Sequence, residues 1–240
     1  MNTLANLRDV AAGLPHGAMR EGVLLRSEAP IDGDVPPSTI AWPPRTVIDL
    51  RHPLELELAH PLASSDTVVH AATLLEPSQP APEGPGSREK LRGFYASLLE
   101  PPVSTRLAGI VEIVATAPDP ILIHCLAGKD RTGVVVALVL RLIGIERDDV
   151  FDEYLKTNDR ATNLLARMRM HYARIDGHRA PARDISTESI KAPRELIVHI
   201  VDHWDAYDGG TLGWYLDNGG TAEIAELLSE RLLPQGSSRG

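Results

Sequence analysis

The chain has 240 residues, 43% apolar and 24% charged, which excludes a disordered or collagenous chain and fits one large domain or two small ones. Thirty-three acidic residues stand against 24 basic ones, a formal net charge of −9, so the surface as a whole repels nucleic acid and any anion site must be local. A single cysteine excludes an intrachain disulfide and a cysteine-rich zinc site, and no apolar run approaches the ~20 residues of a bilayer span.

The first residues, Met-Asn-Thr-Leu-Ala-Asn-Leu-Arg-Asp, lack a basic start followed by an apolar stretch, so no ordinary secretion signal is read. A reducing cytoplasm suits the lone thiol, with export lacking a cleavable signal left open. Runs rich in β-branched residues at 23–26, 46–51 and 68–71, bounded by Gly, Pro and Asp, predict strands. Pro36, Pro37, Pro43 and Pro44 mark a loop or short turn between the first two. Residues 77–87, rich in Pro, Gly and Ser, read as a surface loop, because the strands before them need the following elements as cover.

Beyond residue 87 the period changes. Leu91, Tyr95, Leu98 and Leu99 fall on one helical face, as do Leu107, Ile110, Val111 and Val114. Residues 121–124 form a short apolar strand after the breaker Pro118-Asp119-Pro120, and the nearly all-apolar stretch 133–143 predicts a buried helix. Further helices are expected at about 147–157, 159–175, 188–206 and 221–233, with Ser186 or Thr187 capping the third and Thr221 the last. Strands first and helices after suit one domain over 1–233, a sheet with helices packed on it, followed by a flexible tail at 234–240.

The chemistry concentrates in His124-Cys125-Leu126-Ala127-Gly128-Lys129-Asp130-Arg131-Thr132-Gly133, between the short strand and the buried helix. A helix N-terminus offers unpaired N–H groups and about half a positive charge, and a loop curled over it cradles an anion. Gly128 lets the backbone turn where a side chain would clash. Cys125, at the end of the strand, would point into the cradle, where the helix end and Arg131 favour the attacking thiolate. Arg131 offers a planar fork for phosphate, and Thr132 can donate to the sulfur when it leaves. The pattern suits a phosphate monoester attacked by sulfur. A buried structural cysteine is the bland alternative.

His-Cys, five residues and Arg-Thr-Gly resemble the signature loop of the protein tyrosine phosphatase superfamily. Ala-Gly-Lys-Asp-Arg within it is similar to the atypical bacterial and fungal tyrosine phosphatase-like family, some of whose members also act on phosphoserine, phosphothreonine and phosphoinositides. Asn6-Leu7-Arg8-Asp9, Arg26-Ser27, Asp49-Leu50-Arg51 with Glu55, and Gly213-Trp214-Tyr215-Leu216 extend the likeness over about residues 5–233. The resemblance implies an α/β fold with a central, mainly parallel sheet and helices on both faces. It implies Cys125 as nucleophile, Arg131 as phosphate-binding arginine and Thr132 as the hydroxyl after it. Leu126, Ala127, Gly128, Lys129 and Gly133 complete the substrate-binding loop. No metal or other cofactor is implied.

Two carboxylates compete for the role of general acid. Many superfamily members use an aspartate in Trp-Pro-Asp; Trp42-Pro43-Pro44 lacks it. Asp130, inside the loop, is the first candidate, against a reading in which it only orients Lys129 or Arg131. Glu76, after the strand 68–71, is the second. Asp119 lies at the wrong end of its strand. His124 is expected to bond the backbone and tune Cys125 rather than act as a base. Lys129 either binds a polyanionic headgroup or simply strengthens the loop's positive field.

The remaining candidates have bland readings. Arg8, Arg26 and Arg51 are expected to pair structurally with Asp9, Glu28 or Asp49, and Asp49 and Arg51 are expected on alternate faces of their strand. His199 and His203 read as ordinary, partly buried histidines; a zinc protease helix needs Glu where Ile200 stands. His60, His70, His171 and His178 carry no signal. Arg167, Arg169 and Arg174 beside Met168 and Met170 could meet an anionic membrane, but a solvated charged face is the simpler reading. Only 88–99 could serve as a lid helix. The expected activity is cysteine-dependent phosphomonoester hydrolysis on a phosphorylated protein, with phosphotyrosine foremost. The alternatives are a phosphoinositide or inositol phosphate phosphatase, and an inactive phosphate-binding module; a sulfurtransferase fits Asp130 and Thr132-Gly133 less well. Neither nucleic-acid binding nor stable membrane insertion is expected.

Overall fold

The computed structural model describes residues 2–56, 59–75, 88–175 and 186–234. Glu76, residues 77–87, His178 and the tail beyond Pro234 lie outside the described residues.

Seven strands are described: β1 (Asn2–Thr3), β2 (Arg8–Asp9), β3 (Leu24–Ser27), β4 (Asp34–Val35), β5 (Thr46–Asp49), β6 (Val68–Ala71) and β7 (Ile121–His124). The main sheet runs β2-β3-β7-β5-β6; β3, β7, β5 and β6 are parallel, and β2 is antiparallel at one edge. β1 and β4 form a separate parallel pair. The first expected strand sits one residue later, and the second ends at Asp49 because Arg51 turns back to bond Asp49.

Nine α-helices are described: α1 (Arg88–Ser97), α2 (Val103–Thr116), α3 (Asp130–Leu142), α4 (Arg147–Leu155), α5 (Ala161–Ile175), α6 (Thr187–Ile190), α7 (Arg194–Asp205), α8 (Gly210–Asp217) and α9 (Ala222–Leu232). α3 begins three residues before the expected start, so Asp130, Arg131 and Thr132 are themselves helical. The long helix expected at 188–206 is broken at Lys191-Ala192-Pro193, where Pro193 adopts an extended conformation before α7. α8 has no counterpart among the expected elements.

Strand alternation divides the sheet's side chains between two faces. Leu24, Ile48 and Ile123 join the large core with α3, whose Val134–Leu140 stretch is buried all round. Burying one such Val or Leu contributes roughly 1.5–3 kcal/mol, so α3 is the main anchor of the sheet. α4, α7 and α8 pack around it, and α2 packs on both α3 and α9. On the other face the cross-strand row Leu25–Leu122–Val47 meets Leu4, Leu7, Ile40, Trp42 and Leu62. That face is covered by the N-terminal segment and by the loops bearing Ile40, Trp42 and Leu62.

β7 lies between β3 and β5, and Ser27, His124 and Asp49 end the three strands in one row. The loop leaving β7 therefore opens at the carboxyl edge of the sheet's centre, where open parallel sheets place ligands.

Candidate active site

Cys125 is the first residue beyond β7 and is 2% exposed. Residues 125–129 curl from it to the first turn of α3. The outward side of this curl is held by donors from elsewhere in the chain. The Ala29 N–H donates to the Leu126 carbonyl at 3.0 Å, Asn6 Nδ2 to those of Ala127 and Gly128 at 3.1 and 3.2 Å, and Arg26 to that of Gly128 at 2.7 Å. In a trans peptide the N–H points opposite the C=O, so three carbonyls bound from outside turn the N–H groups of Ala127, Gly128 and Lys129 inward. Gly128 makes the turn at φ +64°, and a Cβ there would run into the Ser27 backbone.

Arg131, in the first turn of α3, is fixed from behind. Its two terminal nitrogens reach the two oxygens of Glu55 at 2.6 and 2.7 Å, and one also donates to the Leu50 carbonyl at 3.1 Å. Glu55 sits in a short 3-10 turn (Pro53–Glu55), where it also accepts from the His52 N–H. Burial alone disfavours both charges. For Glu55 the Arg131 guanidinium, together with the His52 N–H and Arg51, more than offsets this and holds it below its ordinary range, and Glu55 holds Arg131 firmly charged.

Asp130 is partly exposed and accepts from the Tyr95 hydroxyl of α1 at 2.8 Å. Tyr95 and Tyr154 oxygens are 2.8 Å apart; since Tyr95 spends its proton on Asp130, Tyr154 donates to Tyr95. Burial pushes both phenols well above their ordinary value and keeps them protonated. Lys129 turns away from the cradle. Its ammonium donates to the carbonyls of Ser189 and Lys191 at the end of α6, with Asp130 3.6 Å away. The Thr132 hydroxyl is buried and finds no hydrogen-bond partner among the described residues, so the expected bond to sulfur is not formed here.

Beneath the loop the arginines pair differently from expectation. Arg8 and Arg26, opposite each other on β2 and β3, share Glu153 of α4 at 2.8 and 2.6 Å. Two like charges in register need an anion between them, and only a distant helix supplies it. Asp9 instead accepts from the Gly22 and Ala11 N–H groups, and Glu28 from Ala5 and Asn6, with Arg167 at 3.1 Å. Arg51 does pair with Asp49, at 2.8 Å. Arg51 lies beyond the end of β5 and turns back onto Asp49, so the expectation of alternate faces on one strand is corrected.

Two further expectations change. Arg167 is buried and holds Asp34 with two bonds of 2.7 Å, so it is neither a solvated nor a membrane-facing charge. His199 and His203 are exposed rather than partly buried.

His124, fully buried, sits with its Nδ1 3.1 Å from the Cys125 carbonyl oxygen, as expected, and its Nε2 2.9 Å from Nε2 of His60. His60 was illegible in the sequence; it lies in the loop before β6, where Leu62 packs on the face that carries Leu122 and His124. Burial lowers both histidines, His60 to about 3, so both are neutral near pH 7. Asp49, His60 and His124 are the described residues closest to a metal-ligand set. Their atoms already have partners: both Asp49 oxygens accept from Arg51, and the imidazoles bond each other. Glu55, Tyr95, Tyr154 and Glu153 also support the loop. Glu55 was signalled by its family pattern, Tyr95 only as a core position, and the other two not at all.

The comparisons agree with this geometry. The model of the tyrosine phosphatase family matches residues 1–234. Over 73 residues the chain is 48% identical to the triple specificity protein phosphatase PtpB of Mycobacterium tuberculosis, covering 30% of this chain and 26% of that protein. Over 52 residues it is 44% identical to a Cupriavidus necator protein named "putative tyrosine-protein phosphatase", covering 20% of this chain and 19% of that one. The matched stretches thus span a quarter or so of these relatives, whereas the family model spans nearly the whole chain, from the β2 arginine through the loop to α9. The chain belongs to the tyrosine phosphatase family.

Proposed function

We propose that this chain is a cysteine-dependent phosphomonoester hydrolase whose foremost substrate is phosphotyrosine. The observation that carries the reading is the loop between Cys125 and Arg131. Its carbonyls are tied outward, its amides face inward, and Arg131 is locked charged at its far end by Glu55.

In the first step Cys125 Sγ attacks phosphorus while the bond to the ester oxygen breaks. Arg131 and the inward amides hold the equatorial oxygens, where charge is densest in the transition state. Asp130 gives its proton to the leaving oxygen from Oδ2, the oxygen that Tyr95 does not occupy and that lies 3.6 Å from the Lys129 ammonium. In the second step the ionised Asp130 takes a proton from water, the water oxygen bonds phosphorus, and the thiolate leaves. The Thr132 hydroxyl, buried and without a hydrogen-bond partner among the described residues, is the donor proposed for that sulfur. The domain is taken as residues 1–233, and the site as cytoplasmic. Among the described residues no helix is long and apolar enough to cross a membrane.

The second reading, a phosphoinositide phosphatase, draws on the resemblance of the loop, with Lys129 in it, to a family some of whose members act on phosphoinositides. The position of Lys129 weighs against it, because its ammonium is spent on two carbonyls. The test is phosphate release from a phosphotyrosyl peptide and from a soluble short-chain phosphoinositide, without added metal, with Cys125→Ser as the blank. A peptide kcat/KM higher by about tenfold or more supports the first reading, and the reverse supports the second. No release above the blank on either leaves the inactive phosphate-binding module.

A further inference from the structure

The hydrogen bonds around His60 and His124 admit one arrangement of protons. The Leu62 backbone N–H donates to His60 Nδ1 at 3.1 Å, so that nitrogen carries no proton. Neutral His60 therefore bears its proton on Nε2 and donates it to His124 Nε2, 2.9 Å away. His124, accepting there, bears its own proton on Nδ1 and donates it to the Cys125 carbonyl at 3.1 Å. Every donor in the chain Leu62–His60–His124–Cys125 meets an acceptor, and the dipoles run one way. The other tautomer of either ring would set two donors or two lone pairs against each other.

We propose that His60 is a positioning residue for the nucleophile. By fixing the tautomer of His124 it ties down the Cys125 carbonyl and so turns the Leu126 N–H into the cradle beside the sulfur. The peptide is trans, so holding its C=O outward aims the next N–H inward, extending the row already set by Ala29, Asn6 and Arg26. An amide aimed at sulfur favours thiolate over thiol. Without His60 the His124 proton is free to move to Nε2, and the Nδ1 lone pair then repels the carbonyl. The neighbouring charged and titratable groups are Asp49 and Arg51 at the end of β5, Arg131 on α3 and His171 on α5. None of them lies between the two rings.

The proposal rests on Cys125 being the nucleophile, but its test reads the sulfur directly. Cys125 is the sole cysteine, so alkylation by iodoacetamide reports on it alone. Rates are measured against pH for the full chain, for His60→Leu, which lacks the donor, and for His60→Gln, whose amide nitrogen reaches the place of Nε2. His60→Leu is expected to move the rate curve to higher pH, with rates about three- to tenfold lower on its acid side, the worth of one net hydrogen bond, and an unchanged plateau at high pH. His60→Gln is expected to stay near wild type. Superimposed curves for wild type and His60→Leu, or a His60→Gln curve as displaced as that of His60→Leu, overturn the proposal. If His60→Leu does not fold, nitrogen-15 NMR of the wild-type rings decides. Nε2–H on His60 with Nδ1–H on His124 supports the proposal, and Nε2–H on His124 overturns it. A chain that alkylates as expected yet releases no phosphate would contradict the phosphatase reading and leave the role of His60 intact.

Discussion

Glu55 grips Arg131 with both carboxylate oxygens across 76 residues of sequence. The pair is buried, so removing one member leaves an uncompensated charge inside the protein. Glu55→Gln is expected to cost about 3–5 kcal/mol of stability and to lower kcat/KM as Arg131 loses its aim. Urea unfolding with parallel kinetics checks both.

The same pair sets part of the acid limb of stability. Glu55 lies below its ordinary value of 4.5 in the folded chain, because burial is more than offset by the Arg131 guanidinium together with the His52 N–H and Arg51. Its contribution is therefore complete above the unfolded value and is lost as pH falls through the lower folded one. Unfolding free energy measured from pH 7 downward is expected to fall less steeply in Glu55→Gln than in wild type. Parallel acid limbs would show that Glu55 is not stabilised by Arg131.

Asp130 and Tyr95 should separate by leaving group. A positioned acid is worth about 10²–10⁴, so Asp130→Asn is expected to lose that much on an alkyl or phenyl phosphate and far less on an aryl phosphate with an acidic phenol. Tyr95→Phe is expected to lower kcat by about tenfold with KM little changed, and to cost about 1–3 kcal/mol because the Tyr154 hydroxyl loses its acceptor. Equal losses on all leaving groups in Asp130→Asn would assign that residue an orienting role.

Gly133 tests how closely the loop depends on α4. A Cβ at this position would come within 2.7 Å of the Tyr154 ring, whose hydroxyl heads the chain to Tyr95 and Asp130. Gly133→Ala is expected to cost about 1–3 kcal/mol as an overpacking change, and to reduce kcat by disturbing Asp130. A thermal melt and steady-state kinetics on the same sample measure the two effects.

The strands and the loop were legible because their signals are local. Apolar and β-branched runs bounded by breakers marked four of the five strands of the main sheet, while two-residue β1, β2 and β4 carried no such run, and spacing within ten residues singled out the loop from Cys125 to Arg131. The first turn of α3 escaped because Asp130, Arg131 and Thr132 are polar and interrupt the apolar run that marks the helix. α8 was hidden by Gly209 and Gly210, which read as a loop yet serve here as its entry. Long-range pairing was not legible at all. Glu153 lies 145 residues from Arg8, and His60 lies 64 from His124, and no local period encodes such contacts. The parity of β7 explains the last one: His124 shares the face of Leu122, and the loop bearing His60 is laid on that face by Leu62.

The central claim is that Cys125 sulfur carries the reaction. The most direct measurement is phosphate release from a phosphotyrosyl peptide by wild type and by folded Cys125→Ser and Cys125→Ala at equal concentration. Loss of about a thousandfold or more in kcat is expected for both, since removing a nucleophile leaves only binding and the residual field of the loop. Activity within about tenfold of wild type in either variant would contradict it.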